Sequence, residues 1–228
     1  MTTLLYSHPA CIEHDPGAYH PERPDRLRAV MAGLEDEAFQ HLSRLEAPIV
    51  DLADVKRAHD AGYVDMIMDN VPTHGQVRLD PDTVMSEGSG EAAKRASGAA
   101  VAAVDAVING DAKNAFCAVR PPGHHAESSK AMGFCLFNSA AVAAIHAQAK
   151  HGLKRVCVID FDVHHGNGTQ HTFEHIEGLF YASSHLQCAL GARHGVGRIP
   201  RGLYRHCAAG DPQLRTGTAD HLSWVRRP

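Results

Sequence analysis

Val156-Cys157-Val158-Ile159-Asp160-Phe161-Asp162-Val163-His164-His165-Gly166 is an apolar run that passes directly into carboxylates and imidazoles. Such a run, bounded by polar residues, reads as a buried strand of a parallel sheet. Upstream, Ala115-Phe116-Cys117-Ala118-Val119 reads as a second strand. Between them lies an Ala-rich helix over residues 138–150, with Asn138 as its N-cap and Gly152 beyond its end. Strand, helix and strand at this spacing predict a right-handed βαβ unit in a largely parallel sheet covered on both faces. The expected fold class is α/β. Outward from this unit, Leu179 to Ser183 is the next strand and Leu4-Leu5-Tyr6 the first. Residues 89–108 form a long helix ended by Asn109-Gly110, and residues 51–69 are helical with a break at Ala61-Gly62.

In open α/β sheets, ligands collect beyond the carboxyl ends of the strands. Arg120-Pro121-Pro122-Gly123-His124-His125 and the segment from Asp160 to His165 both fall there. The prolines and glycine hold a specific loop that presents adjacent imidazoles. If the chain stays extended, Asp160, Asp162 and His164 point to one side and can share an ion. Oxygen and imidazole donors suit Zn²⁺, and Fe²⁺ or Co²⁺ would accept a similar set. The grouping reads as a metal-assisted hydrolytic site.

The 228 residues, 44% hydrophobic and 21% charged, fit one folded domain. A net charge of −4 without a basic stripe argues against direct nucleic-acid binding. No leader-like start and no run of about 18 apolar residues is present, so no membrane partner is expected and a cytoplasmic location is favoured. Cys117, Cys135 and Cys157 lie in apolar patterns without Cys-x-x-Cys spacing and read as buried thiols. Most of the 18 histidines read as surface groups or local hydrogen-bond partners, and Glu127 and Lys130 as solvated loop residues.

Arg120-Pro121-Pro122-Gly123-His124-His125-Ala126, Met132-Gly133-Phe134-Cys135-Leu136-Phe137-Asn138 and Asp160-Phe161-Asp162-Val163-His164-His165-Gly166-Asn167-Gly168-Thr169-Gln170 together resemble zinc-dependent histone deacetylases and acetylpolyamine amidohydrolases. His20-Pro21-Glu22-Arg23-Pro24 and Leu79-Asp80-Pro81-Asp82-Thr83 resemble the class II and bacterial branch. The resemblance implies a three-layer arginase/deacetylase-like fold, with residues 1–185 a partial domain whose C-terminal part is missing. It further implies Asp162 and His164 as two of three zinc ligands, His124 and His125 as the tandem proton-handling pair, Asp160 as acceptor for His124, and Asn167 as partner of the second histidine. Gly133 and Phe134 would line a narrow acyl channel, and Asp82 would be the rim carboxylate that holds substrate. A monovalent cation, usually K⁺, is implied near Asp160, Asp162, His164, Ser183 and Ser184. The implied reaction is hydrolysis of acetylated lysine peptides or acetylated polyamines, with acetate and a free amine as products. The other reading is an inactive acetyl-ligand binding or regulatory fragment.

After His185 the resemblance stops. The family's Pro-Gly-Thr-Gly loop has no counterpart, nor do its third metal-binding Asp and catalytic Tyr. Residues 186–228 carry seven arginines, no lysine and only Asp211 and Asp220 as acids, and read as a divergent, poorly structured tail. Read one nucleotide later, suitable codons for residues 189–196 encode Pro-Leu-Ala-Pro-Gly-Thr-Gly. The expectation is a frameshift between Leu186 and Ala189, with weak metal binding as its consequence.

Overall fold

The computed structural model describes residues 2–183 and 188–190. β1 (Thr3–Ser7) lies between β2 (Ser43–Glu46) and β5 (Asn114–Cys117) in a parallel sheet, with Tyr6 opposite Leu45 on one side and Cys117 on the other. A second sheet has the order β6 (Val156–Asp160), β7 (Leu179–Ser183), β8 (Cys188–Leu190); β6 and β7 run parallel and β8 returns antiparallel. The hairpin β3 (Gln76–Asp80) to β4 (Thr83–Ser86) turns at Pro81-Asp82.

The helices are α1 (Ala10–Glu13), α2 (Pro24–Gly33), α3 (Leu52–Ala58), α4 (Ala61–Asp69), α5 (Ser89–Asn109), α6 (Ser139–His151) and α7 (Asn167–Glu174). They cover both faces of the first sheet because its side chains alternate between two apolar surroundings. Leu4 and Tyr6 pack with Ala99, Ala103 and Val107 of α5, whereas Leu5 turns the other way toward Leu27 of α2. A larger core gathers Tyr63, Ile67, Met85, Phe137, Phe173 and Tyr181. The expected caps form: Asn138 Oδ1 accepts from Ala141 N at 3.0 Å, and Gly110 and Gly152 adopt φ of 90° and 67° at the ends of α5 and α6.

Three sequence expectations need correction. The helical break lies at His59-Asp60 rather than Ala61-Gly62. His59 leaves the helix with extended backbone, and its buried ring is bonded to the Glu127 carbonyl and the Asn138 N–H. The βαβ unit exists in sequence, yet β5 and β6 are not neighbours in a sheet among the described residues. They border a cavity of about 650 Å³ whose lining includes Ala100, Val104, Ala143 and Ala147 from α5 and α6. Cys117 and Cys135 are buried, but Cys157 is exposed, because β6 is an edge strand that lines this slot.

Candidate active site

The loop carrying the histidine pair is anchored by a buried ion pair. Arg120 donates from Nε and Nη2 to both carboxylate oxygens of Glu22, at 2.5 and 2.6 Å, and caps the carbonyls of Cys11 and His14. Burial disfavours the Glu22 carboxylate, but hydrogen bonds from His14 and Arg120 outweigh it and hold its pKa at about 2. Four donor contacts from one planar guanidinium fix the start of the loop.

Beyond it, His124 Nδ1 donates to Asp160 Oδ2 at 2.8 Å. The same oxygen accepts from the Tyr181 hydroxyl at 2.9 Å, and that hydroxyl accepts from Gly166 N at 3.0 Å. Burial raises the Asp160 pKa, but the His124 and Tyr181 hydrogen bonds bring it below the ordinary value, so the carboxylate is ionised at neutral pH. A methyl group at Gly166 would overlap Asp160, Tyr181 and His124 together, so only glycine lets the chain pass this close. Thr169 N then donates to the His124 carbonyl at 3.1 Å, tying α7 to the loop.

His125 lies against His124, with ring centroids 4.0 Å apart. Its Nδ1 is 2.7 Å from Asn167 Oδ1, and Asn167 Nδ2 donates to Glu127 Oε1 at 2.9 Å. This chain of contacts sets the amide with its oxygen toward His125, so the His125 proton sits on Nδ1 and Nε2 keeps its lone pair. Burial first, and the neighbouring His124 second, lower the His125 pKa and keep the ring neutral. Glu127 is therefore part of the site, which corrects its reading as a solvated loop acid. Lys130 is exposed, as expected, and its carbonyl accepts from Glu127 N.

Asp162 and His164 are not in extended chain, which corrects the alternation argument for that segment. β6 ends at Asp160, and Asp162 Oδ1 accepts from His164 N at 2.6 Å, folding the backbone into a local turn. Asp162 is buried, and His164 Nδ1 lies 3.2 Å from the same oxygen although its side chain is 72% exposed. The two donors are adjacent because of this turn. Asp160 faces His124 instead.

The expected rim residues also meet. Asp82 Oδ1 accepts from Gly133 N at 3.2 Å and from Thr83 Oγ1 at 3.0 Å. Gly133, at φ 56°, leaves room for the His125 ring, which a Cβ would overlap; the space it provides is beside that histidine. Phe134 is the one non-glycine residue described with positive φ, at 69°, and its ring meets His20 edge-on at 4.7 Å. Backbone held in this region costs energy and concentrates at ligand sites. Asp160 and Ser183 are register partners on β6 and β7. Ser184 lies outside the described residues, as do the expected frameshift region and tail apart from residues 188–190.

Sequence reasoning missed Glu22, Tyr181 and His20 as members of the site. Glu22 stands in a quoted motif, but its arginine partner is 98 positions away. A strand tyrosine two places from a polar strand end was the available signal for Tyr181.

The family profile of the histone deacetylase domain matches residues 20–191. The chain belongs to the histone deacetylase family. It is 42% identical over 168 residues to histone deacetylase 15 of Arabidopsis thaliana, covering 73% of this chain and 30% of that protein. With the histone deacetylase-like amidohydrolase of Pseudomonas aeruginosa it shares 39% over 169 residues, 74% of this chain and 44% of the relative. With human polyamine deacetylase HDAC10 it shares 37% over 191 residues, 81% and 27% of the two chains. The crystal structure of the HDA15 HD domain superposes with a TM-score of 0.76 at 37% identity, covering 80% of this chain and 53% of that one. The arginase/deacetylase-like α/β fold expected from sequence is thus present. The chain spans less than half the length of these three relatives.

Proposed function

We propose that this chain carries the proton-handling side of a site that hydrolyses acetylated lysine or another acetylated amine. The observation that supports it best is the tandem pair: His124 on ionised Asp160 and His125 on Asn167, each bonded through Nδ1. Asp160 balances positive charge on the His124 ring, while Asn167 offers His125 a neutral acceptor. In this reading, His125 Nε2 accepts a proton from the attacking water, and the pair returns a proton to the departing amine. Phe134, Gly133 and Asp82 border the entry for the acyl chain and the substrate backbone. A monovalent cation near Asp160 and Ser183 would add charge behind the pair.

The family is generally zinc-dependent, and bound zinc would supply Lewis-acid polarisation of the amide. Asp162 and His164 are the donors here. Two donors fall short of the three protein ligands that a catalytic zinc ordinarily takes, so the described residues do not complete that centre. In a second reading, the pocket binds acetylated ligands without turnover.

Acetate release from an acetyl-lysine peptide and from an acetylpolyamine, measured with and without added Zn²⁺ and paired with calorimetric titration, separates the two. Turnover lost in His125→Ala supports hydrolysis. Binding without acetate supports the second reading. A folded sample that neither binds nor hydrolyses either compound overturns both.

A further inference from the structure

The described side chains also draw a metal-competent trio together elsewhere. Asp105 of α5 meets His146 and His151 of α6, with their donor atoms all within 4.8 Å of one another. Asp105 Oδ1 lies 2.8 Å from His146 Nε2 and 2.6 Å from His151 Nε2. The α6 helix starts at the candidate active site, where Asn138 bonds Thr169, and has 13 residues. At 1.5 Å per residue, His151 lies about 20 Å along the helix from that end.

The proton arrangement at His146 is the informative detail. Two imidazoles aim Nε2 at one carboxylate oxygen, so without an ion each must bring a proton there. The other ring nitrogen, His146 Nδ1, faces the Asp54 carboxylate, 3.3 Å away. That Nδ1 is buried and has no hydrogen bond, and the His146 side chain is only 5% exposed. With a cation on Nε2, the His146 proton sits on Nδ1 and faces Asp54. The remaining oxygen of Asp105 is already held by Lys150 Nζ at 2.8 Å, which leaves Oδ1 as a single donor. An imidazole backed by a carboxylate and a carboxylate backed by an amine are the supports that orient metal ligands.

We infer that Asp105, His146 and His151 form a second site for a divalent ion of the zinc class. Water would complete a tetrahedral sphere. Bonds of about 2.0 Å place such donors about 3.3 Å apart, so the trio must open slightly. His151 is the last residue of α6 and its rotation supplies that movement. The bound ion would join α5 to α6 beside their seam of Ala100, Val104, Ala143 and Ala147.

Zinc titration of the whole folded chain, followed by imidazole nitrogen NMR and by melting temperature, tests this. Micromolar Zn²⁺ is expected to shift the Nε2 resonances of His146 and His151 and to raise the melting temperature. His151→Gln should weaken binding at least about tenfold, while its metal-free melting temperature stays near that of the parent. His164→Gln should leave the effect intact, which separates this site from the candidate active site. The inference is overturned if Zn²⁺ moves His124, His125 or His164 but not His146 and His151. It is equally overturned if His151→Gln binds like the parent, or if the folded chain shows no response.

Discussion

The two loops that carry the histidine motifs are held in opposite ways. Residues 120–125 are locked by long-range contacts: Arg120 onto Glu22, His124 onto Asp160, His125 onto Asn167. Residues 161–164 are shaped by a local turn around Asp162, and Phe161, Val163 and His164 are exposed beside an edge strand. The histidine pair is therefore held from several distant elements, whereas the turn that carries Asp162 is held locally, although both loops border the slot between β5 and β6. Preorganisation follows how many distant elements converge on a loop, rather than which residues it contains.

The comparison is sharpest at Glu22. Glu22→Leu would leave a buried guanidinium unpaired and should cost about 3–5 kcal/mol in urea unfolding. A loss under about 1 kcal/mol would show that the first loop is not anchored there.

Acid should act on the same region next. Burial lowers the His59 pKa from 6.5 to about 4, so the unfolded chain binds more protons between these values and stability falls as pH drops through that window. The contribution is on the order of 3 kcal/mol. Glu22, held at about 2, adds a further loss as pH falls from about 4.5 toward 2. Thermal melting between pH 7 and pH 3 checks both, and a flat profile from pH 6.5 to pH 4 would contradict the buried neutral His59.

Much of the first loop's chemistry was legible and most of its support was not. His124, His125, Asp160 and Asn167 stand in short motifs whose local spacing survives folding. Asn138 and Gly152 mark α6 because capping is a local interaction. The Glu22–Arg120 pair and the Tyr181–Asp160 bond depend on tertiary approach and on strand register, which residue spacing does not encode. The apolar run 156–159 reads as a central strand whether or not a neighbour pairs with it, so the slot was invisible.

Tyr181→Phe tests that hidden support. It removes the hydroxyl shared by Asp160 and Gly166 N, and leaving a buried N–H unsatisfied should cost about 1–3 kcal/mol in chemical denaturation. No measurable loss would mean that Asp160 and His124 hold their geometry without it. The smallest effect belongs to the second loop: His164→Ala, at a side chain 72% exposed, should stay within about 0.5 kcal/mol of the parent. A loss several times larger would erase the contrast between the loops.

The slot has one more consequence, for cooperativity. No strand hydrogen bond joins β5 to β6 among the described residues, so mechanical continuity between the two sheets runs through helices, including the contact of Ala100 and Val104 with Ala143 and Ala147. Alanine-rich seams bury little area per residue, so this seam should be a weak link between the two sheets. Backbone amide exchange should then resolve two protection levels, one shared by β1, β2 and β5 and another by β6 and β7. The histidine pair and its aspartate sit on opposite sides of that boundary, and the His124–Asp160 hydrogen bond is one of the contacts that joins them.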